Sequence, residues 1–174
     1  MKILKITKAD LDKDNFYIGN VDFSEYSKTF DGDIEIEGNL GVVRFKKGVY
    51  CSYSIVADIG SGISAGDGIS AGEGISAGWG ISAGDGISAG DGISAGEGIS
   101  AGWGISAGEG ISAGEGISAG WGISAKLELS AGLNIFAGIS RNIDAQGNYK
   151  KITCRKLVKG KVCYGDLVET GLEK

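Results

Sequence analysis

Ten residues in the middle of the chain carry side chains that could do chemistry, and all ten occupy the same position of a repeat. Every sixth residue from position 67 to position 121 is an aspartate, a glutamate or a tryptophan. Seven carboxylates at regular spacing could attract cations or basic side chains. Three exposed indoles could anchor a protein interface or lie flat over a neighbouring corner of the fold. The acidic set is Asp67, Glu73, Asp85, Asp91, Glu97, Glu109 and Glu115, and the aromatic set is Trp79, Trp103 and Trp121.

These ten residues are the variable position X in ten consecutive copies of Gly-Ile-Ser-Ala-Gly-X, which fill residues 62–121. A period of six without an insertion predicts an all-β solenoid in which each copy forms one short strand and one corner. Ile and Ala lie two residues apart and share the inward face of a strand, whereas Ser points outward. The two glycines around X are expected to turn the corner in conformations that glycine adopts most easily. X then lies at the outer rim.

Other glycine-rich structures fit the pattern less well. Collagen needs a glycine at every third residue, but here the gaps between glycines alternate between four and two. A flexible linker would not keep Ile at every sixth position. Amyloid-like stacking of short strands remains an alternative, and the carboxylate in most copies opposes it.

The repeat sits between two segments of different composition. We predict an N-terminal cap at residues 1–32, a β-helix at 33–139 and basic C-terminal coils or a cap at 140–174. The hexapeptide period is expected to begin near Asp33, with Ile34 and Leu40 six residues apart. A solenoid needs atypical ends to cover its last strands. The aromatic residues expected to cover the N-terminal end are Phe16, Tyr17, Phe23, Tyr26 and Phe30.

Beyond the perfect copies the apolar spacing continues in altered form. Ile123, Leu129 and Ile135 keep the step of six, and the segment 140–150 then interrupts the pattern. After it the step shortens to five, which predicts tighter final coils or a terminal cap. The residues with this shorter spacing are Ile152, Leu157, Val162 and Leu167.

The unit Ile-Ser-Ala-Gly-X-Gly-Ile, together with Gly-Asp-Ile-Glu-Ile-Glu-Gly-Asn-Leu at residues 32–40, resembles the patterns of bactofilin-like, polymer-forming β-helix proteins. It also resembles uncharacterised bacterial and phage proteins with Gly-Ile-x-Ala-Gly repeats. The resemblance covers roughly residues 33–139 and implies a single-stranded, triangular, right-handed β-helix with about 18 residues per coil. The chain departs from left-handed hexapeptide acyltransferases, which carry a small residue two places before the aliphatic one, where this chain has Asp, Glu or Trp. Both hands of the helix therefore stay open as alternatives. The chain also has distinct caps, unlike a chain that only polymerises.

A coil of this size would stack the X residues in three corner columns, because three copies would complete one turn. Only the second column would be wholly acidic. The first column would hold Asp67, Asp85, Trp103 and Trp121, the second Glu73, Asp91 and Glu109, and the third Trp79, Glu97 and Glu115.

Charge is distributed very unevenly along the chain. Residues 48–125 contain no Lys or Arg and carry a net charge of −8, whereas residues 1–47 carry −1 and residues 126–174 carry +4, within a total of −5. The acidic corners could simply keep a long β-surface soluble. A rigid column of carboxylates could instead imitate a phosphate backbone and occupy a basic groove, which makes direct nucleic-acid binding by the rod unfavourable. The basic end comprises Lys150, Lys151, Arg155, Lys156, Lys159 and Lys161.

The composition predicts neither an enzyme nor a cofactor or metal site. The chain has no histidine, no phosphate-binding loop and no Cys-x-x-Cys pair, and its repeat differs from the nonapeptide calcium solenoids. Cys51, Cys154 and Cys163 are therefore expected to be buried thiols. Without a long apolar run or an apolar leader, we predict a cytoplasmic protein without a membrane segment.

Two functions follow as hypotheses. The first is a non-enzymatic solenoid that presents its acidic, Trp-containing surface to a protein partner with a basic surface, as a phage or mobile-element inhibitor of a nucleic-acid-binding machine would. The second is a bactofilin-like structural protein that assembles end to end, with the basic end of one copy meeting the acidic rod of the next.

Overall fold

The computed structural model describes residues 2–138 and 150–171. It shows an all-β solenoid of about seven turns, whose parallel strands stack roughly 18 residues apart, as the repeat predicted. Apart from its strands, the described part of the chain contains two 3₁₀ turns, Lys8–Asp10 and Tyr26–Lys28. No helix in these residues is long and apolar enough to span a bilayer.

The strands form three faces around a narrow core. The first face contains β1 (Ile3–Ile6), β2 (Asp33–Ile36), β5 (Ile55–Ala57), β8 (Ile75–Ala77), β11 (Ile93–Ala95) and β14 (Ile111–Ala113). The second contains β3 (Gly41–Phe45), β6 (Ser61–Ala65), β9 (Ile81–Ala83), β12 (Ile99–Ala101) and β15 (Ile117–Ala119). The third contains β4 (Val49–Cys51), β7 (Ile69–Ala71), β10 (Ile87–Ala89), β13 (Ile105–Ala107), β16 (Ile123–Ala125), β18 (Lys151–Cys154) and β20 (Asp166–Glu169). The longer strands β17 (Glu128–Ala137) and β19 (Lys156–Tyr164) continue from the first face onto the second.

Identical residues stack on one another throughout the repeat. On the third face Ile87 pairs with Ile69 on one side and with Ile105 on the other, and the neighbouring Ser and Ala residues keep the same register. In the ten perfect copies no Ile is more than 1% exposed and no Ala more than 6%, whereas every Ser is at least partly exposed. The predicted inward and outward faces are confirmed, and a continuous Ile ladder forms the core.

The start of the regular ladder differs from the prediction, which was wrong about Leu40. Val43, not Leu40, occupies the inward position of the second face, where it pairs with Ile63 and is fully buried. A turn between β2 and β3 adds residues to this coil, and it includes Asn39 and Gly41 at positive φ angles of 62° and 73°. Leu40 is only partly buried in this turn.

The repeat glycines are required for a reason other than the predicted one. None of the glycines that flank X has a positive φ, so conformational freedom does not explain them. The glycine before X instead lies where a neighbouring coil passes too close to leave room for a side chain: a Cβ atom at Gly90 would overlap the carbonyl oxygen of Gly72. The glycine after X is less confined, since a Cβ at Gly92 would lie 3.4 Å from the oxygen of Gly110.

The N-terminal segment closes its end of the core with aromatic rings. Tyr17, Phe23 and Phe45 pack together with ring centroids 5.5–5.8 Å apart, and Phe23 is buried. Strand β1 pairs in parallel with β2, so the segment also contributes a strand to the first face. The prediction was wrong for Tyr26, which is 68% exposed and contacts Tyr50 on the third face rather than covering the end.

The final coil is tighter than the others, as the spacing of five predicted. Ile152 stacks on Ile123, and Leu167 of β20 stacks on Ile152 in the last coil. The sequence separation between Ile152 and Leu167 is shorter than the separation between stacked isoleucines in the repeat. The inward positions of β19 are Leu157 and Val162, which stack on the ladders of β17 and are partly buried. Leu167 is 39% exposed. The predicted interruption at 140–150 lies outside the described residues except for Lys150.

We predict that alanine is tolerated at only one of the two glycines that flank Asp91. Gly90→Ala should lower the free energy of unfolding by about 1–3 kcal/mol, because its Cβ displaces the adjacent coil. Gly92→Ala should change the free energy of unfolding by no more than about 1 kcal/mol. The backbone at Gly92 suits alanine, and alanine lowers the conformational entropy of the unfolded chain, which favours the folded state. Urea unfolding followed by circular dichroism measures both. Equal losses would contradict the close-approach explanation.

A second pair of substitutions tests the inward ladder. Ile99→Ala should cost about 2–5 kcal/mol, because it opens a cavity between Ile81 and Ile117. Ser100→Ala on the same strand removes only an exposed hydroxyl and should change stability by less than about 0.5 kcal/mol. The urea midpoints of the two variants should therefore differ clearly, and similar midpoints would contradict the assignment of the core.

Candidate functional site

Backbone hydrogen bonds confirm that the X residues stack in the three predicted columns. In each column the amide N–H of one X residue donates to the carbonyl oxygen of the X residue one coil earlier. The first corner, between the second and third faces, joins Asp85 to Asp67 at 3.3 Å, Trp103 to Asp85 at 3.1 Å and Trp121 to Trp103 at 3.1 Å. The second corner, between the third and first faces, joins Asp91 to Glu73 at 3.2 Å and Glu109 to Asp91 at 3.1 Å. The third corner joins Glu97 to Trp79 at 3.5 Å and Glu115 to Glu97 at 3.2 Å.

The carboxylates lie at the surface, and most have no local cation. Asp67 and Asp85 are partly exposed, and the other five are exposed. Asp67 pairs with Lys47 at 3.8 Å, and Glu73 accepts a hydrogen bond from the hydroxyl of Ser54 at 3.1 Å. Within residues 2–138 and 150–171, no other repeat carboxylate forms a salt bridge. Their charge therefore remains available to an approaching group.

The columns change chemistry toward the C-terminal end. In the second corner Leu127 stacks on Glu109, with its N–H 3.0 Å from the carbonyl oxygen, and Arg155 stacks on Leu127 at 2.8 Å. In the third corner Leu133 stacks on Glu115 at 3.0 Å. The acidic part of the rod consequently ends where the perfect copies end.

The tryptophans differ in their surroundings. Trp103 and Trp121 stack with centroids 5.3 Å apart and ring planes 5° from parallel, and Trp103 is still 51% exposed. Trp79 stands alone in the third corner near the backbone of Gly41 and is 40% exposed. The first corner thus presents a double indole platform and the third corner a single ring.

The third face forms a shallow groove of about 630 Å³. Its floor is the ladder of outward hydroxyls at Ser70, Ser88, Ser106 and Ser124. Tyr26 and Tyr50 border its N-terminal end, Asp85 and Trp103 border its side, and Lys151 and Thr153 border its C-terminal end. Aromatic, hydroxyl and acidic groups meet on the third face, and the second face has a smaller groove of about 490 Å³ with Glu115 and Phe136 beside its own serine ladder.

Sequence reasoning did not find this groove. Tyr50 occupies the outward position of Val49-Tyr50-Cys51, which pairs with Ile69-Ser70-Ala71. Aligning that tripeptide with the repeat would have placed an aromatic ring at the start of the serine ladder. Tyr26 comes from a 3₁₀ turn in the N-terminal segment, and no periodic signal indicates its position.

Five of the seven repeat carboxylates border the third face. Its two edges are the first corner, with Asp67 and Asp85, and the second corner, with Glu73, Asp91 and Glu109. Charges within about 10 Å of each other add to one local potential at physiological salt. Five repeat carboxylates also border the first face and four border the second, so charge attracts a basic partner to every side of the rod.

The predicted basic end lies on the last described coils. Lys150 forms a salt bridge with Asp166 at 3.2 Å. Lys151 is partly buried and borders the groove, whereas the remaining four residues are exposed. These four are Arg155, Lys156, Lys159 and Lys161. The rod thus changes from acidic to basic along its axis.

Two of the three cysteines are buried, and residues of the types that bind metals do not cluster in the described part of the chain. Cys51 and Cys154 are buried, and burial raises both thiol pKa values, that of Cys51 to about 11. The expectation of a buried thiol was wrong for Cys163, which lies on the outer strand β19 and is exposed. In the described part of the chain, no three His, Cys, Asp or Glu residues are close enough to hold a metal ion.

Comparisons with known proteins identify no relative. No family model, no curated protein and no solved structure matches the chain. The geometry and charge of the corners and faces are therefore what indicates a function for the chain.

Proposed function

We propose that this chain is a non-enzymatic interaction protein that presents an acidic, Trp-containing surface to a protein partner with a basic surface. The partner's surface is one that otherwise binds nucleic acid, and the solenoid competes for it. The observation that carries the proposal is the ordered stacking of carboxylates on rigid corners within the span 48–125, which contains no Lys or Arg.

The charge density of the rod supports this proposal. Ten copies make about three and a third coils, and coils stack about 4.8 Å apart, so seven carboxylates supply about one negative charge per 2.3 Å of axis. Duplex DNA carries one charge per about 1.7 Å. A groove that gains its affinity from phosphates would therefore meet a comparable field on the solenoid.

Rigidity makes such a surface effective. Each corner is held to the next coil through backbone hydrogen bonds, so little backbone freedom is lost when a partner binds. Exposed indoles among the charges add contact area, which charge alone does not supply. A phage or mobile-element inhibitor of a nucleic-acid-binding machine is the biological setting that this chemistry suits.

Neutralising the second corner tests the proposal. A variant with Glu73→Gln, Asp91→Asn and Glu109→Gln should bind immobilised protamine about tenfold more weakly at low salt, with a smaller salt dependence, since three charge contacts are removed. The parent should also release duplex DNA from protamine. Affinity is measured by surface plasmon resonance over a salt series.

The matched control removes three exposed acids outside the perfect copies, with Asp14→Asn, Glu35→Gln and Glu37→Gln. Both variants have the same net charge, so only placement differs. Equal weakening would show that protamine responds to net charge alone, and would contradict a role for the stacked corner.

End-to-end assembly of the bactofilin type is a second candidate, and the C-terminal end favours it. In residues 2–138 and 150–171, β19 and β20 pair with earlier strands along one edge only. The apolar positions Leu157, Val162 and Leu167, which extend the core ladders, are partly exposed there. Strand edges of this kind pair readily with another chain.

Light scattering separates the two candidates. If the C-terminal ends assemble, the parent should form a dimer or a filament at 0.5 M salt, and Leu167→Glu should return it to a monomer because a charge then lies at the junction. Thr170→Glu adds the same charge at an exposed position and should leave assembly intact. A parent that is monomeric at all concentrations would contradict the second candidate, and a salt-resistant filament would contradict the first.

A further inference from the structure

We infer that the groove on the third face binds an extended, arginine-bearing segment of the partner, with one guanidinium seated between the carboxylate of Asp85 and the free ring face of Trp103. This inference rests on the proposed function and names the contact within it. It is carried by the order of residues in the first corner together with the groove beside them.

The first corner creates a slot that fits a flat cation. Trp121 covers one face of the Trp103 ring and lies one coil toward the C-terminal end. The other face of Trp103 is directed toward the preceding coil, where Asp85 occupies the same corner, and the ring is 51% exposed. Asp85 has no salt bridge with any described residue. The indole and the carboxylate thus project from backbones that are one coil apart, about 4.8 Å.

Arginine fits this slot better than lysine does. A guanidinium group is planar and weakly hydrated, so it can stack on an indole while its N–H groups donate in a fork to a carboxylate. An ammonium group is compact and strongly hydrated, and it gains mainly from the charge. The slot therefore distinguishes the two cations, whereas the wholly acidic second corner does not.

The remainder of the groove suits an extended chain. Its floor passes from Tyr50 to Thr153 over six stacked strands, roughly 24 Å, which is the length of about seven extended residues. The serine hydroxyls along the floor can donate to and accept from a peptide backbone. Tyr26, at the N-terminal end, adds a second exposed aromatic ring.

Charge around the groove determines where along it the basic side chains of the segment lie. The second corner, defined by Glu73, Asp91 and Glu109, lies along the edge opposite Asp85. Lys151 closes the C-terminal end and repels a cation there. The basic side chains of the segment therefore lie toward the N-terminal and middle coils.

Two labelled peptides test the inference, octa-arginine and octa-lysine, with binding measured by fluorescence anisotropy on the full chain. The parent should bind octa-arginine about two- to fivefold more tightly than octa-lysine. Trp103→Ala should abolish this preference while octa-lysine binding persists. Trp103→Phe keeps a flat ring and should retain part of the preference. Asp85→Asn should weaken octa-arginine binding more than octa-lysine binding, because it removes the forked acceptor.

The third corner supplies matched controls, because it does not border the groove. Trp79→Ala removes an exposed indole and Glu97→Gln removes an exposed carboxylate there, so each should leave the ratio of the two affinities unchanged. Circular dichroism verifies that each variant keeps the solenoid.

The outcomes also separate this inference from the proposed function. Equal affinity of the parent for the two peptides, or an unchanged preference in Trp103→Ala, would overturn the arginine slot while protamine binding by the acidic corners stands. Loss of preference in Trp79→Ala as well would also overturn it, because the effect would then not be specific to the first corner. Failure of the parent to bind protamine would overturn the proposed function itself.

Discussion

In-register hydrogen bonding between successive coils is the constraint on which the rest of this structure depends. It operates at the corners as well as along the strands, where each X residue from Asp85 onward donates to the X residue one coil earlier. So close an approach leaves no space for a side chain at the glycine before X, as at Gly84, Gly90 and Gly102. The same register stacks Ile upon Ile and orders the carboxylates and indoles into columns.

Periodicity predicted what depends on repetition. Ile, Ser and Ala took their expected faces, and the three columns formed with the expected members, because each coil of the repeat dictates the next. The predictions failed where the chain leaves the repeat. Leu40 was misplaced because a turn containing Asn39 and Gly41 lengthens the coil. Cys163 was wrongly expected inside, because Val162 rather than its neighbour Cys163 takes the inward position of β19. The reason for the repeat glycines was also wrong, since contacts between coils are invisible to local conformational preference.

Only the part of the candidate surface that belongs to the repeat could be predicted from the sequence. The acidic edges follow directly from the sequence period, but the groove between them also needs Tyr26, which a single 3₁₀ turn delivers to the third face. The resulting surface combines a negative electrostatic potential with a few exposed aromatic side chains. Charge brings a partner to the rod, and the indole and phenol rings of the third face then distinguish among partners of equal charge.

Three copies complete one coil, so the number of copies governs more than length. Insertion of three copies would extend the rod by one turn and keep every later residue on its original face or corner. Insertion of a single copy would rotate all later variable residues by a third of a turn, moving acids and indoles onto different edges. Recombination between identical repeats could therefore redesign the recognition surface in one step without disturbing the isoleucine interior.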